Sequence, residues 1–415
     1  MHQSLFKVLA FSGLMLSGTA VAADASIKGL VDLRFYNVNS SADGNSYLKG
    51  DYGKFRFDDG AGVAVGQLGL QYHVDWENNV SLTLVGNGFA DRGNSAIGFT
   101  EGYISYKGVP SEKGWRWQSK LGIFYPQISM ENIATAWSTP YTLTSSAINN
   151  WIGEELRSTG GQLTLEKLGK FTNSAHSFGA TVSLFQNNDP AGAMLAWHGW
   201  TIGSRQTLLH EKLRIPYFPA LIGELAEQAH DSDPFRELDD RWGVHVAASW
   251  RYDRALRVNV GYYDNHAQEG IVKQGQYTWT TEFSHIGVKY RLAKQWEVIG
   301  QYMQGSTYMT SPTFEDVVNN DYDSGFLMLR HFWSNHHLAL RLEHFNVDDL
   351  DDTQGDNNNE NGNAISIAYR YRLNKKSFML AEYNWIDSDR QARAYLDQPI
   401  ELIERQFQIG YRYYF

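Results

Sequence analysis

Charged side chains recur in this chain at three kinds of spacing, and each implies a different chemistry. Arg34, Lys120 and Arg341, and with them Glu101, Glu343 and Glu382, stand in stretches where polar and apolar residues alternate. Alternate positions of an extended segment share one face. These six therefore belong to a wet face opposite a dry one, where fixed charge sets a potential for mobile ions. Glu131, Glu154, Glu155 and Arg157 lie instead in or beside a long connecting segment, 126–156, that can carry charge across a space between such faces. The third spacing is clustering. "DDLDDTQGDNNNENG" at 348–362 gathers carboxylates of the kind that supply the 6 to 8 oxygens of a calcium site. Counted from Asp349, however, glycine falls at the seventh position of the EF-hand frame and not the sixth, and a solvated acidic loop is the reading adopted. No metal site is assigned.

Hydrolysis would need a nucleophile, a base and an orienting group within hydrogen-bond reach. The candidates are His230, Asp231 and Asp233 in "HDSD" and the adjacent Asp239 and Asp240. No G-x-S-x-G motif accompanies them. The chain is read as no enzyme, and no cofactor is implied.

The elements that position the alternating charges are strands. In "IKGLVDLRFYN", Ile27, Val31, Leu33 and Phe35 share one face, and Lys28, Asp32 and Arg34 the other. The same period recurs in "QLGLQYHV", "VSLTLVGN", "GVHVAASWRY", "LRVNVGYY", "HLALRLEHF" and "AISIAYRYRL", and about 16 such segments of roughly ten residues can be drawn, the length of a tilted membrane-crossing strand. Short turns at 75–79, 253–255, 293–295, 334–336 and 374–376 separate them on one side, and long polar segments at 38–62, 126–156, 188–242, 305–323 and 347–363 on the other. That segregation is the pattern of a membrane β-barrel. Aromatics including Trp76, Trp115, Trp250, Tyr290 and Trp296 sit near the short-turn ends, as an interfacial girdle does.

The first 22 residues, with one Lys, an apolar run from Val8 to Leu16 and Ala20-Val21-Ala22, have the parts of a cleavable signal peptide. The expected organisation is a signal peptide over 1–22 and one barrel domain over 23–415. Thirteen Trp, 24 Tyr and 21 Phe with no Cys point to a core closed without disulfides. The formal charge of −10 gives no support to nucleic-acid binding. In 126–156, Trp137, Tyr141, Leu143, Ile148 and Trp151 need cover from water, which favours an inward fold of that segment. In 219–229, Leu221, Leu225 and Ala229 recur at helical spacing after Pro219, the pattern of a short amphipathic helix.

The last strand, "RQFQIGYRYYF", alternates through Phe407, Ile409, Tyr411 and Tyr413 to Phe415. Here the sequence resembles the outer-membrane porins of Gram-negative bacteria, whose terminal strand of alternating aromatics ends in Phe. "LGIFYPQISMEN" is also similar to the strand-to-loop passage of phosphate-selective porins, although their ladder of loop arginines is not visible. The resemblance implies an all-β transmembrane antiparallel barrel of 16 strands with short periplasmic turns and long extracellular loops, in the bacterial outer membrane. It further implies a third loop that narrows the pore, a homotrimer, contact with lipid and lipopolysaccharide, and reading of Tyr411, Tyr413 and Phe415 by the barrel-assembly machinery. The expected function is passive diffusion of small hydrophilic solutes. Pore-lining Arg34, Lys120 and Arg341 would favour anions against Glu101, Glu343 and Glu382, across from Glu131, Glu154, Glu155 and Arg157 of the constricting loop. A substrate-specific, phosphate-like anion channel is the alternative, and a barrel hydrolase a more remote one.

Overall fold

A computed structural model describes residues 23–41, 45–91 and 95–415. The proposed signal peptide lies outside them. Sixteen strands form one closed antiparallel barrel in sequence order. They are β1 (Ala23–Ser40), β2 (Gly60–Trp76), β3 (Val80–Ala90), β4 (Ala96–Lys107), β5 (Trp115–Phe124), β6 (Ser158–Lys167), β7 (His176–Gln186) and β8 (Gly243–Tyr252). The second half comprises β9 (Leu256–Asp264), β10 (Thr280–Ala293), β11 (Trp296–Thr310), β12 (Asp316–Trp333), β13 (His336–Asp349), β14 (Glu360–Arg372), β15 (Ser377–Arg390) and β16 (Glu401–Tyr414).

Alternation explains each strand. Ile27, Leu33, Phe35, Leu68, Leu70, Leu342, Ile367, Phe407 and Ile409 are exposed on the outside, while Asp32, Arg34, Arg341, Ser366, Gln406 and Gln408 are buried inside. An apolar exterior around a polar interior is stable only in hydrocarbon, and there every backbone polar group needs a protein partner. The barrel meets that demand by closure. β16 pairs with β1 from Leu30↔Tyr414 to Ser40↔Glu404, and Gly29 and Phe415 exchange both backbone hydrogen bonds at 3.0 and 3.1 Å. Phe415 is exposed on the outer face. Its ring lies over Gly29, where an added Cβ would come within 2.0 Å of it. Among the described residues no helix is long and apolar enough to cross a membrane.

Three expectations are corrected. Residues 305–323 are not a loop: β11 and β12 stay paired up to Thr310↔Asp316, across a register shift after Met309, and only 311–315 turn the chain. The polar run "GSTYMT" obscured this, because strands rising above the apolar band keep their hydrogen bonds without needing apolar alternation. With the equally short link from Ala90 to Ala96, it makes the loop rim less uniform than loop spacing implied. Lastly, 219–229 is no amphipathic α-helix. Only Pro219–Ile222 forms a 3-10 turn, because Leu221 and Leu225 pack among Trp197, Phe218 and Tyr277 and do not line one helical face.

The core sits inside the barrel. Segments 45–59, 125–157 and 187–242 fold inward from the loop rim. Trp151 lies at their centre, edge-on to Trp200 at 5.9 Å, Phe283 at 5.5 Å and Tyr322 at 5.6 Å. Removing such rings from water contributes roughly 1.5–3 kcal/mol each.

The lumen as candidate functional site

β5 stops at Phe124, while its neighbour β4 runs on from Gly102 to Ala96. The chain after Phe124 therefore turns into the lumen below the loop rim. Helix α1 (Ala147–Glu155) lies across the interior, with Ser146 as its cap, accepting from the Asn149 amide at 3.4 Å. Carboxylates complement its N-terminal end, as the helix dipole favours. Glu131 accepts from the Ser146 amide at 2.5 Å and Glu343 from the Ala147 amide at 2.9 Å. Arg157 closes the other end, donating to the carbonyls of Leu156 at 2.8 Å and Ile152 at 3.4 Å.

The wall charges read from the sequence are the clamps of this loop. Arg341 reaches Glu343 at 2.6 Å, Glu131 at 3.2 Å and the carbonyl of Thr144 at 2.9 Å, all fully buried. Glu382 accepts from the amides of Leu143 and Thr144 at 2.5 and 3.0 Å. Arg34 is held by Asp32 at 2.8 Å, and Asp32 also holds Arg412 at 2.7 Å. Arg412 and Arg370 donate to the carbonyls of Thr139 and Pro140, each at 2.6 Å. The loop tip therefore descends to the level of Arg370.

With β10 to β16 covered by the loop, open space remains against β1 to β9. A cavity of about 1060 Å³ is lined there by wall side chains and by Tyr125, Pro126, Gln127, Ile128, Ser129, Asn132 and Trp137 of the loop. Tyr125 is stacked between two partners: Trp137 at 4.0 Å and 8°, and the Arg157 guanidinium at 3.6 Å. Ala136 and Trp137 both hold left-handed backbone, φ 53° and 54°. That conformation is costly for residues with a side chain. It is braced by Gln67 and Gln206, which donate to the Ala136 carbonyl at 2.8 and 3.0 Å.

Of the sequence-assigned residues, Lys120 and Glu101 border this cavity, and Arg34, Arg341, Glu343 and Glu382 lie beneath the loop. The lining holds five cations, Lys28, Lys107, Lys120, Arg251 and Arg257, against Asp75, Glu101 and Glu166. Glu166, which parity with Leu163 and Leu165 would have placed inward, pairs with Arg116 at 2.5 Å and Arg251 at 2.8 Å. Lys120 rests over Tyr103 at 4.5 Å. It and Arg257 join no ion pair among the described residues.

Glu154 and Glu155 do not face wall cations. They point into segment 187–242 around α2 (Ala193–His198). Glu155 accepts from Trp151 Nε1 at 2.6 Å and from the amides of Met194 at 3.0 Å and Gly192 at 3.2 Å. Burial nevertheless pushes its carboxyl up to about 7. Sequence reasoning missed Lys54 and read Glu360 as part of a solvated acidic loop; instead Glu360 and Asp356 are buried, and Lys54 and Glu360 form a pair joining segment 45–59 to β14, with Arg390 on the same carboxylate at 3.1 Å. The candidate hydrolytic groups are paired with cations: Asp231 with Lys212 at 3.1 Å and Asp233 with Arg236 at 3.4 Å.

No family model matches the chain, and no curated protein sequence does. Solved structures do. An anion-selective porin from Comamonas acidovorans is similar over 95% of this chain and 100% of its own, with TM-score 0.54 and 13% identity. The fold is that of an outer-membrane porin. The outer-membrane channel DcaP of Acinetobacter baumannii covers 95% of this chain and 97% of its own, with TM-score 0.54 and 10% identity. A loop-deletion mutant of OmpT, an outer membrane protein of Vibrio cholerae, covers 95% and 100% with TM-score 0.51 and 10% identity. At these identities the porin likeness is a likeness of fold.

Proposed function

We propose that this chain is a bacterial outer-membrane channel that conducts small hydrophilic solutes passively and prefers anions. The observation that carries the reading is a polar cavity of about 1060 Å³ inside a closed barrel with an apolar exterior. Water and solute have a place within it, and lipid has one outside. Preference for anions rests on Lys120 and Arg257, which join no salt bridge among the described residues, Glu101 acting on Lys120 only from beyond contact distance, in a low-dielectric pore where fixed charge acts strongly. Arg34 and Arg341 contribute less than sequence spacing implied, because Asp32, Glu131 and Glu343 neutralise them.

A second reading, a substrate-specific anion channel, is favoured by one observation: three inward segments occupy the outer part of the lumen and leave the cavity to one side. Purified protein in planar bilayers tests both readings. Discrete conductance steps with anion-favouring zero-current potentials support a channel. Steps blocked by one small organic anion and not by chloride support the specific form. A folded barrel that gives no steps under any condition contradicts both.

A further inference from the structure

Arg251, Arg257 and Lys289 stand in one cross-strand row at the short-turn mouth of the lumen. The ladders put Arg251 directly opposite Arg257 between β8 and β9, and Arg257 directly opposite Lys289 between β9 and β10. Opposite residues lie about 4.5–5.5 Å apart at Cβ, and like charges so placed destabilise a sheet. One step further along the same wall, β8 and β9 carry neutral Ser249 and Asn259, which keep a wet face without that cost. The carboxylates within reach serve only the two ends of the row. Arg251 pairs with Glu166 at 2.8 Å and Lys289 with Glu297 at 3.2 Å. Arg257, in the middle, joins no ion pair among the described residues. Neither does Arg254 of the β8–β9 turn, nor Arg291, which faces Glu297 across the ladder while that carboxylate is held by Lys289 and Arg330.

These cations border a pocket of about 250 Å³ in which five basic side chains meet two acidic ones, Asp253 and Glu297. Its remaining wall is apolar. Met130 and Ile133 of the inward loop supply one part, and Ala255 and Leu256 of the turn and β9 the other. Ile133 is exposed, although the loop that carries it folds inward. Arg251 and Arg257 also border the main cavity, so the pocket opens off it.

We propose that this pocket binds a small linear dicarboxylate, with its two carboxylates on the cation row and its carbon chain on Met130 and Ile133. A carboxylate matches the guanidinium fork and takes two parallel hydrogen bonds from it. The row is two cross-strand steps long, about 10 Å from end to end. A single anionic group reaches two neighbours in it at most, whereas carboxylates at both ends of a short chain reach all three. Methylene groups between them cover the apolar wall and remove it from water. Inorganic phosphate has no part that could do so. The dicarboxylate offsets the repulsion along the row, which the two wall carboxylates leave unmatched at Arg257. Its part in transport rests on the channel reading given above, and binding itself does not.

The test is isothermal titration calorimetry of the detergent-folded full chain, at low salt, with glutarate, butyrate and inorganic phosphate. One equivalent of glutarate is expected to bind, at least tenfold more tightly than butyrate or phosphate. Arg257→Gln should lower the glutarate affinity at least tenfold, as loss of a hydrogen bond to a charged group does. Arg254→Gln, which lies in a turn outside the strands and leaves the wall intact, should lower it at least threefold. Lys170→Gln removes an exposed cation from another short turn and should leave it unchanged. Heat-modifiable gel migration like that of the unaltered chain certifies each variant as folded. Because binding is read without conductance, its failure is distinct from failure of the channel reading. Glutarate that binds no more tightly than butyrate or phosphate overturns the pocket. So does an affinity that both arginine substitutions leave unchanged.

Discussion

The side chain on which most of the lumen depends is Arg341. It satisfies Glu343 and Glu131 together and donates to the carbonyls of Thr144 and Ser145 at 2.9 and 3.1 Å. Arg341→Gln would leave two buried carboxylates facing each other. Breaking a buried pair in this way costs about 3–5 kcal/mol. The barrel hydrogen bonds are untouched, so the expected outcome is a folded barrel with a released loop 125–157: single-channel conductance rises, and protease cuts within the loop. Unaltered conductance would show that Arg341 does not hold it. A second prediction concerns pH. Burial pushes Glu155 and Asp356, both in loops, up to about 7, against about 4 in an unfolded chain. Between those values the folded loops bind more protons than unfolded ones, so their stability is full below about pH 4 and declines as pH rises through 7. Hydrogen exchange of the loop amides, corrected for intrinsic rate, should show weaker protection at pH 8 than at pH 5, and Glu155→Gln should flatten that difference. Protection independent of pH contradicts the assignment.

At the scale of elements, the strands were legible in the sequence and the loops largely were not. Period-two alternation is local, and every outward Leu, Ile and Phe reports its own side of the wall. The inward fold of 126–156 was also legible from Tyr141, Leu143, Ile148 and Trp151, which have no other place to go. What spacing could not convey is pairing across the lumen. Arg341 and Glu131 are 210 residues apart, and nothing near either one distinguishes a clamp from a free pore charge. Glu166 was accessible to parity and was overlooked, whereas Lys54 lies in a segment without a period. The closing strand supports its own test. Since the Phe415 ring lies over Gly29, Gly29→Leu should displace it and strain the seam by about 1–3 kcal/mol, as overpacking does. Phe415→Asp should act the same way by placing charge on the outer face. Both should lower the temperature at which the barrel loses its heat-modifiable form, while a substitution at exposed Asp24 should not. Equal midpoints would mean that the seam does not depend on this contact.

At the scale of the whole molecule, Arg341, Glu382, Arg370 and Arg412 of the wall bind the barrel's own loop, and the cavity for which anion preference is proposed is left on one side. Porin-like architecture over 95% of the chain and an apolar exterior agree with an outer-membrane location. The electrostatic part is the more exposed to test, because it reduces the selective charges to those that the loop does not neutralise. Screening supplies an internal control: the Debye length falls from about 10 Å at 0.1 M to about 3 Å at 1 M, so any preference set by Lys120 and Arg257 must fade with salt. The measurement that decides is the zero-current potential across a bilayer in a potassium chloride gradient at low salt, for the unaltered channel and for the Lys120→Gln/Arg257→Gln double variant. The account predicts an anion-favouring potential that moves most of the way toward zero in the double variant, with the conductance steps retained. A cation-favouring channel, or an anion preference that the double variant leaves unchanged, would contradict it.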